Sequence, residues 1–344
     1  MKKLGCFLLF LFSSFSLFSQ RVSNANFTQV GKTVEITYTL DKQADIAVYL
    51  STDGGKTFGQ QLLAVSGDAG KAVQPGNRKI VWSPFEEYDK LVTDDAVFKI
   101  VPSGGEKLTF TVGGVSFTMI YVEGGTFTMG CTSEQGGDCD DDEKAVHTVT
   151  LSDYYIGQTE VTQALWQAVM GTNPSYFKGS NNPVESVSWD DCDAFVKKLS
   201  QLTGRRFALP TEAQWEYAAR GGKKSGPYKY DSGHFKYAGS NSIGNVAWYD
   251  DNSNSSTHPV AQKLPNELGL YDMSGNVWEW CLDWYGAYST TSQTNPTGPS
   301  SGSDRVLRGG SSCNFAQSCR VANRINFTPT FRLIYLGFRV VLLR

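Results

Sequence analysis

The chain has 344 residues, of which 31 are Lys or Arg and 34 are Asp or Glu, and its formal net charge at pH 7 is −3. This near balance argues against a nucleic-acid or anionic-membrane partner, because both bind proteins through basic patches. The 35 glycines and the aromatic content of 13% indicate a loop-rich fold held together by aromatic packing. The length favours two domains over one.

The N-terminus has the pattern of a secretory signal peptide. Met1–Lys3 is basic, Leu4–Phe18 is apolar but too short to span a bilayer, and Ser19 precedes a polar break. We therefore expect residues 1–20 to be a signal peptide and the protein to be exported, to the periplasm or to the cell surface or medium. No later stretch is long and apolar enough to predict a membrane span.

Residues 21–103 have the pattern of short β-strands. The candidate strands are Val34–Leu40, Ile46–Leu50, Lys79–Trp82 and Val97–Val101. Ser51–Gly55 is a hairpin-turn signal, and Pro102–Glu106 is a natural linker. This spacing predicts an immunoglobulin- or fibronectin-type β-sandwich, and the lack of an ionisable cluster favours a spacer or adhesion role.

The second half of the chain shows few regular elements with recognisable ends. A strand pair is expected over Phe110–Val122, and Leu336–Val341 is expected to be a closing strand. Three helices are predicted from their caps: Thr162 to Met170 ending at Gly171, Ser188 to Leu202 ending at Gly204, and a helix to Arg220 that starts at the capping box Thr211–Gln214.

Seven motifs occur in a specific order in this half: Glu123–Gly130, Ile156–Thr162, Pro183–Trp189, Arg206–Arg220, Gly269–Trp280, Arg308–Ser311 and Gly337–Arg339. Together they resemble the formylglycine-generating enzymes, also called sulfatase-modifying factors. The resemblance covers about residues 110–344, and we expect the domain to span 108–344. It implies an α+β, C-type-lectin-related domain with little regular secondary structure and bound calcium, which agrees with the loop-rich composition.

The resemblance implies a calcium site in the run from Asp272 to Glu279. The side chains of Asp272 and Glu279 and the carbonyls of Gly275 and Val277 match the family ligands, and calcium prefers such oxygens. The alternative is that the two acidic residues only cap turns. A second family site begins at a segment like Asn245-Val246. The acidic run Asp140–Glu143 could also attract calcium, or form a solvated loop.

The resemblance also implies a catalytic site. Family enzymes oxidise a cysteine of a sulfatase to formylglycine, using oxygen and copper bound by two cysteines, and soft thiolates suit Cu(I). Here Cys313 and Cys319 are the candidate catalytic and copper-binding pair, next to Ser311. The pattern differs from that of the active enzymes: Cys313 follows Ser311 by two residues instead of three, Asn314 replaces a histidine, and the two cysteines are six residues apart instead of five.

Disulfides are the competing role for the cysteines. Six follow the predicted signal peptide: Cys131, Cys139, Cys192, Cys281, Cys313 and Cys319. An even number in an oxidising compartment predicts disulfide pairing for all six, although the residues alone do not fix the partners. Cys319–Arg324 also matches a segment of relatives that lack the catalytic pair. In that alignment Cys319 is structural, bridged to Cys281, and Cys313 is unpaired or joined to Cys192, while Cys131 and Cys139 could close a small loop.

Other chemistry is less favoured. The histidines His147, His234 and His258 are too far apart in sequence to predict an iron site. Aromatic residues at Trp278–Trp280 and Trp284-Tyr285 either line a groove or pack in the core. Two functions remain as hypotheses. The first is a copper-dependent oxidase acting on an exported protein such as a sulfatase. The second is a non-catalytic, calcium-stabilised binding or scaffold module that recognises a protein or a glycan.

Overall fold

The computed structural model describes residues 22–343 except 42–43, 57, 59–61, 88–92, 94, 104–106 and 225–234. The chain divides into two compact units, with the division between Glu106 and Lys107. The predicted signal peptide, residues 1–20, and His234 lie outside the described residues. No helix within the described part of the chain is long and apolar enough to cross a bilayer.

Within its described residues, the first unit contains seven strands and one short 3₁₀ turn, Pro84–Glu86. The strands are β1 Val22–Val30, β2 Thr33–Leu40, β3 Ala44–Ser51, β4 Val65–Gly67, β5 Gly70–Val73, β6 Gly76–Trp82 and β7 Val97–Ser103. They form two sheets, in the order β1-β2-β6-β4 and β5-β3-β7. The prediction of an N-terminal all-β sandwich is therefore confirmed.

Alternating residues of the first unit build its core. Val34, Ile36, Tyr38 and Leu40 of β2 are buried and share one hydrophobic cluster with Trp82 and the apolar residues of β3. This is the period-two pattern of a half-buried strand. The predicted turn at Ser51–Gly55 forms, since the Ser51 hydroxyl accepts the Gly55 amide. It does not close a hairpin, however, because the ladder partners of β3 are β5 and β7.

In the part that the structure describes, the second unit combines twelve short strands with five helices. The strands are β8 Leu108–Val112, β9 Val115–Val122, β10 Gly125–Met129, β11 His147–Leu151, β12 Tyr154–Gly157, β13 Phe207–Ala208, β14 Trp278–Trp284, β15 Gln293–Thr294, β16 Arg305–Arg308, β17 Arg324–Phe327, β18 Leu336–Gly337 and β19 Val341–Leu342. The helices are α1 Gln163–Met170, α2 Trp189–Thr203, α3 Glu212–Ala219, α4 Ile243–Val246 and α5 Asp250–Ser253. Short 3₁₀ turns occur at Ser133–Gln135, Asp141–Glu143, Gly222–Lys224 and Ala316–Cys319.

Three sheets organise this unit. Their strand orders are β13-β19-β12-β9-β8, β10-β11-β15 and β17-β16-β14-β18. Two hydrophobic clusters fill the space between sheets and helices, one around Trp166, Phe195 and Phe338 and the other around Trp215 and Met273. The expected strand pair is present as β8 and β9, joined at Gly113-Gly114, where both glycines have a positive φ.

The three predicted helices begin where their caps indicate. Thr162 accepts the Leu165 amide at the start of α1, and Gly171 ends that helix with a φ of 89°. Ser188 and Thr211 each form a complete capping box, at the starts of α2 and α3. These boxes satisfy amide groups that have no partner inside a helix.

The prediction of one closing strand over Leu336–Val341 is wrong. The segment divides into β18, which pairs in parallel with β14, and β19, which pairs antiparallel with β12 in another sheet. Between the two strands, the Arg339 guanidinium donates to the Glu279 carboxylate and to the Gly157 carbonyl.

Candidate functional site

One of the predicted disulfides forms, between Cys131 and Cys139, whose Cα atoms are 6.0 Å apart. The prediction of disulfides for all six cysteines is wrong for the other four. Cys192, Cys281, Cys313 and Cys319 are free thiols, so the Cys281–Cys319 and Cys192–Cys313 pairs do not form. Cys192 and Cys281 lie in two different hydrophobic clusters instead, where burial raises the pKa of both thiols and they pack as small apolar groups.

Cys319 lies beneath the Gly-Gly-Ser turn. It ends the 3₁₀ turn Ala316–Cys319 and is fully buried. A Cβ atom on Gly310 would be 2.7 Å from its Sγ atom, so only glycine leaves room for the sulfur there. Burial raises the pKa of the Cys319 thiol to about 12, against the opposing effect of a hydrogen bond from the Ser311 amide. The thiolate form is therefore disfavoured.

Cys313 is partly exposed and lies in different surroundings. Its amide donates to the Ser311 hydroxyl, and Ser311 donates to the side-chain oxygen of Asn314. That same oxygen accepts the indole N–H of Trp278 at 2.9 Å, so Asn314 has a structural role. Tyr335 lies within electrostatic range of Cys313.

The two candidate cysteines lie in different surroundings. Cys319 packs in a cluster with Tyr237 and Val246, whereas Cys313 is partly exposed. Copper binding by Cys319 would require its buried thiol to lose a proton, which burial opposes, and the copper site stays a prediction. We derive no reaction step through copper.

The predicted calcium run is a tightly folded loop. Asp272, Gly275 and Asn276 all have a positive φ, and a Cβ atom on Gly275 would lie 2.2 Å from the carbonyl oxygen of Trp248. Glu279 follows in β14, where Arg339 donates to both of its carboxylate oxygens and the Trp215 indole donates to one, at 2.8 Å. Glu279 is therefore held in place by protein donors.

Asp272 carries an unsatisfied buried oxygen. Its Oδ2 accepts the Ala261 amide at 2.7 Å, whereas Oδ1 is buried without a hydrogen-bond partner. Burial raises the pKa of Asp272 to about 6. Burial also raises the pKa of the neighbouring Glu160, with the carboxylates of Asp272 and Glu279 adding to the effect. Three buried carboxyl groups thus lie near the single guanidinium of Arg339. The described residues contain no group of three or more Asp, Glu, His or Cys side chains arranged to hold a metal ion, so the calcium site stays a prediction.

The second predicted calcium segment is placed differently. Asn245 is exposed and Val246 is buried at the end of α4, and the Asn245 carbonyl already accepts the Leu264 amide. The Lys263 ammonium donates to the adjacent Gly244 carbonyl at 2.9 Å. A cation next to the segment weighs against a metal ion there, and the second site stays a prediction without support from these contacts.

A family model described as Sulfatase-modifying factor enzyme 1-like domain matches residues 115–343. The chain belongs to this family. A formylglycine-generating enzyme of Streptomyces coelicolor is 31% identical, with the match covering 64% of this chain and 87% of that protein. The chaperone protein LppX of Paenibacillus barcinonensis is 36% identical, with coverage of 52% and 76%.

Solved structures agree with the predicted formylglycine-generating-enzyme-like fold. Treponema denticola variable protein 1 matches with a TM-score of 0.61 and 38% identity, covering 69% of this chain and 98% of that one. PvdO from Pseudomonas aeruginosa matches with a TM-score of 0.59 and 27% identity, covering 71% and 100%. The predicted family and α+β fold class are therefore confirmed.

Most charged residues in the sulfatase-modifying-factor motifs form buried ion pairs that the motifs alone did not indicate. The pairs are Glu143 with Arg320, Glu212 with Arg324 and with Arg308, Glu216 with Arg308 and with Arg220, Glu134 with Arg220, and Glu279 with Arg339. The sequence contained one indication of these ion pairs. Glu212, Glu216 and Arg220 are spaced by four residues, which places them on one face of α3. The acidic run Asp140–Glu143 is explained in the same way, because Glu143 binds Arg320.

The remaining candidates have local roles. His258 stacks on the Trp248 ring, with 3.8 Å between the centroids, and its Nε2 lies 2.8 Å from the Ser253 carbonyl. Trp278 and Trp280 are buried in the core, so the groove prediction does not hold for them. Trp284 stacks on Arg305, whose guanidinium is 3.5 Å from the ring centroid. His147 lines a cavity at the start of α3.

Proposed function

We propose that the second unit of this protein is a non-catalytic binding module of the sulfatase-modifying-factor family, carried by an exported chain and stabilised by calcium. The observation that carries the proposal is the position of Cys319 beneath Gly310, in an apolar cluster and with a raised thiol pKa. An oxidase of this family needs two cysteines that can act together. The relatives include a formylglycine-generating enzyme, a chaperone and a variable protein, so membership alone does not imply oxidation.

A partly apolar surface near the altered cysteine motif supports a binding role. Phe315 is 75% exposed, and Phe331 and Ile334 are also exposed. Phe315 follows Asn314 and Ile334 precedes Tyr335, and Trp278 contacts both of these neighbours: its indole donates to the Asn314 side chain and its amide donates to the Tyr335 carbonyl. Exposed aromatic and aliphatic side chains of this kind are typical of binding surfaces for a protein or a glycan.

Calcium would serve stability in this proposal. Asp272 and Glu279, with the carbonyls of Gly275 and Val277, would hold the ion, which would balance the excess of buried carboxylates. The unpartnered Oδ1 of Asp272 supports this assignment. The ion would fix the loop that leads into β14 and hence the orientation of Trp278.

The oxidase alternative is tested by a direct assay. The purified protein is loaded with Cu(I) and incubated under air with a cysteine-containing sulfatase peptide, and the peptide is examined by mass spectrometry. A formylglycine-generating enzyme serves as the positive control. We expect no conversion and no copper bound by both cysteines. Conversion by the wild-type protein that disappears in both Cys313→Ser and Cys319→Ser would contradict the non-catalytic proposal and support the oxidase.

The binding role is tested on arrays of glycans and of extracellular proteins. We expect the wild-type protein to give a signal that Phe315→Asp and Ile334→Asp together abolish. The matched control is Leu202→Asp, which replaces another exposed apolar residue, at the end of α2. If the control loses the signal as fully as the test variant does, this surface is not the binding site.

A further inference from the structure

A cavity of about 540 Å³ opens in the second unit, between the start of α3, the end of β14 and the loop over residues 286–299. Its volume lies in the range of small-ligand sites. None of the residues predicted to bind copper or calcium lines it. The cavity is therefore lined by a different set of residues from the predicted copper and calcium sites.

Polar side chains that are themselves buried line this cavity. Asp283, Glu212, His147 and Arg324 are each more than nine-tenths buried. Burying such groups is costly unless each has a partner. The partners that the protein supplies therefore indicate which groups still require a ligand.

Glu212 and Arg324 are satisfied by each other. The Arg324 guanidinium donates to both carboxylate oxygens of Glu212, at 2.8 Å each, and to the Gly286 carbonyl. The Tyr288 hydroxyl donates to the same carboxylate at 2.9 Å. This pair forms a rigid, internally neutralised wall of the cavity.

Asp283 has no such counter-ion. One of its oxygens accepts the Glu212 amide at 2.9 Å, but it takes part in none of the ion pairs of the described residues, whereas Glu212 and Glu216 both do. A further cation, Arg305, is stacked between the rings of Trp189 and Trp284 and donates to a backbone carbonyl. Asp283 is thus a buried carboxyl group that lines the cavity and forms no ion pair within the described residues, although the charges of Arg324 and Arg305 act on it from a distance.

His147 adds a second acceptor. Its Nδ1 lies 3.0 Å from the Ala145 carbonyl, and since a carbonyl only accepts, Nδ1 carries the proton. Whenever the ring is neutral, Nε2 is then an acceptor. The ring packs against Tyr288, with 5.0 Å between the centroids. The groups that remain to be satisfied are therefore acceptors.

We propose that this cavity binds an alkylammonium group, from a lysine side chain or a free amine, with Asp283 as its counter-ion. An anionic ligand would face the Asp283 and Glu212 carboxyls, and a neutral hydroxyl would leave Asp283 without a counter-charge. Met129, Ala213 and Pro299 provide apolar wall against which an alkyl chain packs. A cation completes the charge balance of the cavity, and the Arg324–Glu212 pair does not need to open.

The titration of Asp283 is consistent with this assignment. Burial and then the Glu212 carboxylate raise the pKa of Asp283 to about 7, against an opposing effect of Arg324. The other titratable groups that act on Asp283 or line the same cavity are Cys281, Arg305, Tyr288 and His147. A bound ammonium favours the ionised carboxyl, so affinity should be highest above pH 7 and should fall by about tenfold per pH unit below it.

Calorimetric titration of the full-length protein at pH 8 tests the proposal. The probes are n-butylamine and Nα-acetyl-lysine methylamide, and the neutral controls are 1-butanol and the Nε-acetylated lysine derivative. We expect the amines to bind at least about tenfold more tightly than their neutral counterparts. Tight binding of the lysine derivative but not of butylamine would identify a peptide side chain as the source, and the reverse a free amine.

Two variants locate the binding. Asp283→Asn preserves shape and the acceptor for the Glu212 amide, and should weaken amine binding by at least about tenfold. Asp304→Asn, a partly exposed acid that does not line the cavity, is the matched control. Ala287→Trp, at an exposed wall position, should block the cavity sterically. Thermal unfolding of each variant confirms that it is folded.

Equal binding of the neutral probes, no binding of either amine, or full binding by Asp283→Asn each overturns the proposal.

Discussion

Moving a charged side chain out of water costs several kcal/mol, so a buried guanidinium needs a carboxylate in good geometry. The Arg320–Glu143 pair shows this. Both side chains are fully buried, and the two guanidinium nitrogens donate to the two carboxylate oxygens at 2.6 and 2.7 Å. Asn323 donates to the same carboxylate at 2.8 Å. The pair ties the acidic 3₁₀ turn to the end of the altered cysteine motif.

Arg320→Met should therefore destabilise the second unit strongly. It leaves the Glu143 carboxylate buried with only Asn323 as a donor, and the expected loss is about 3–5 kcal/mol of unfolding free energy. Urea unfolding followed by tryptophan fluorescence measures this, since all but one of the eight tryptophans follow residue 107.

The double variant Arg320→Met with Glu143→Met separates loss of the pair from the burial of a lone charge. Removing both charges eliminates the uncompensated carboxylate, so the double variant should be more stable than Arg320→Met alone. A double variant as unstable as the single one, or less stable, would mean that the lone charge is not the cause.

The raised pKa of Asp283 predicts how the stability of the protein changes with pH. Its pKa is raised to about 7 in the folded protein from 3.8, so between these values the folded state binds more protons than the unfolded one. The contribution of Asp283 to stability is therefore present at low pH and is lost as pH rises from about 4 to 7, by up to about 4 kcal/mol. Asp283→Asn should remove this dependence.

The measurement is the difference in unfolding free energy between wild type and Asp283→Asn as a function of pH. We expect the unfolding free energy of Asp283→Asn to increase relative to that of the wild type as pH rises from 4 to 8. A difference that does not change with pH would show that Asp283 has an ordinary pKa in the folded state.

The sequence could predict only part of these residue roles. The calcium run was named from the family resemblance, whose ligands lie within eight positions of one another, and it stays a prediction. The ion-pair partners could not be named, because Arg320 and Glu143 are separated by 177 residues and only the fold brings them together. The four free cysteines were wrongly predicted to form disulfides, again because the fold decides which residues meet. The number of cysteines and the oxidising compartment do not reveal which sulfur atoms are adjacent.

At the level of elements, local signals predicted the helices well. Each cap acts within three residues, so the sequence contains the full interaction, as with Thr162, Ser188 and Thr211. The prediction of one closing strand was wrong because the two halves of the segment pair with β14 and β12, strands distant in sequence that lie in different sheets. The short helices α4 and α5 were not predicted, since a single turn has no periodic pattern.

Thr162→Ala tests the first of these caps. The Thr162 hydroxyl oxygen accepts the Leu165 amide at 3.2 Å, and its loss should cost about 1 kcal/mol. Thr162→Ser keeps the hydroxyl and is the matched control. Hydrogen exchange should show faster exchange of the first amides of α1 in the alanine variant alone. Equal exchange rates in the alanine and serine variants would show that the Thr162 hydroxyl does not stabilise the start of α1.

On the scale of the whole molecule, the two units have separate cores. Ile36 and Trp82 belong to the cluster of the first unit, whereas Trp215 and Met273 belong to a cluster of the second. The predicted calcium run and the disulfide both lie in the second unit. Separate cores predict separate unfolding transitions, and only one of them should depend on calcium.

Calorimetry of the full chain should therefore resolve two transitions, of which calcium chelation lowers one. Binding to the folded state stabilises it by mass action, so the calcium-dependent transition should rise with each increase in free calcium. Ile36→Ala should lower only the other transition, because this fully buried side chain is in the first core. Asp272→Asn should abolish the calcium response while leaving two transitions. A calcium response that persists in Asp272→Asn, or that moves the transition lowered by Ile36→Ala, would place the ion elsewhere in the protein.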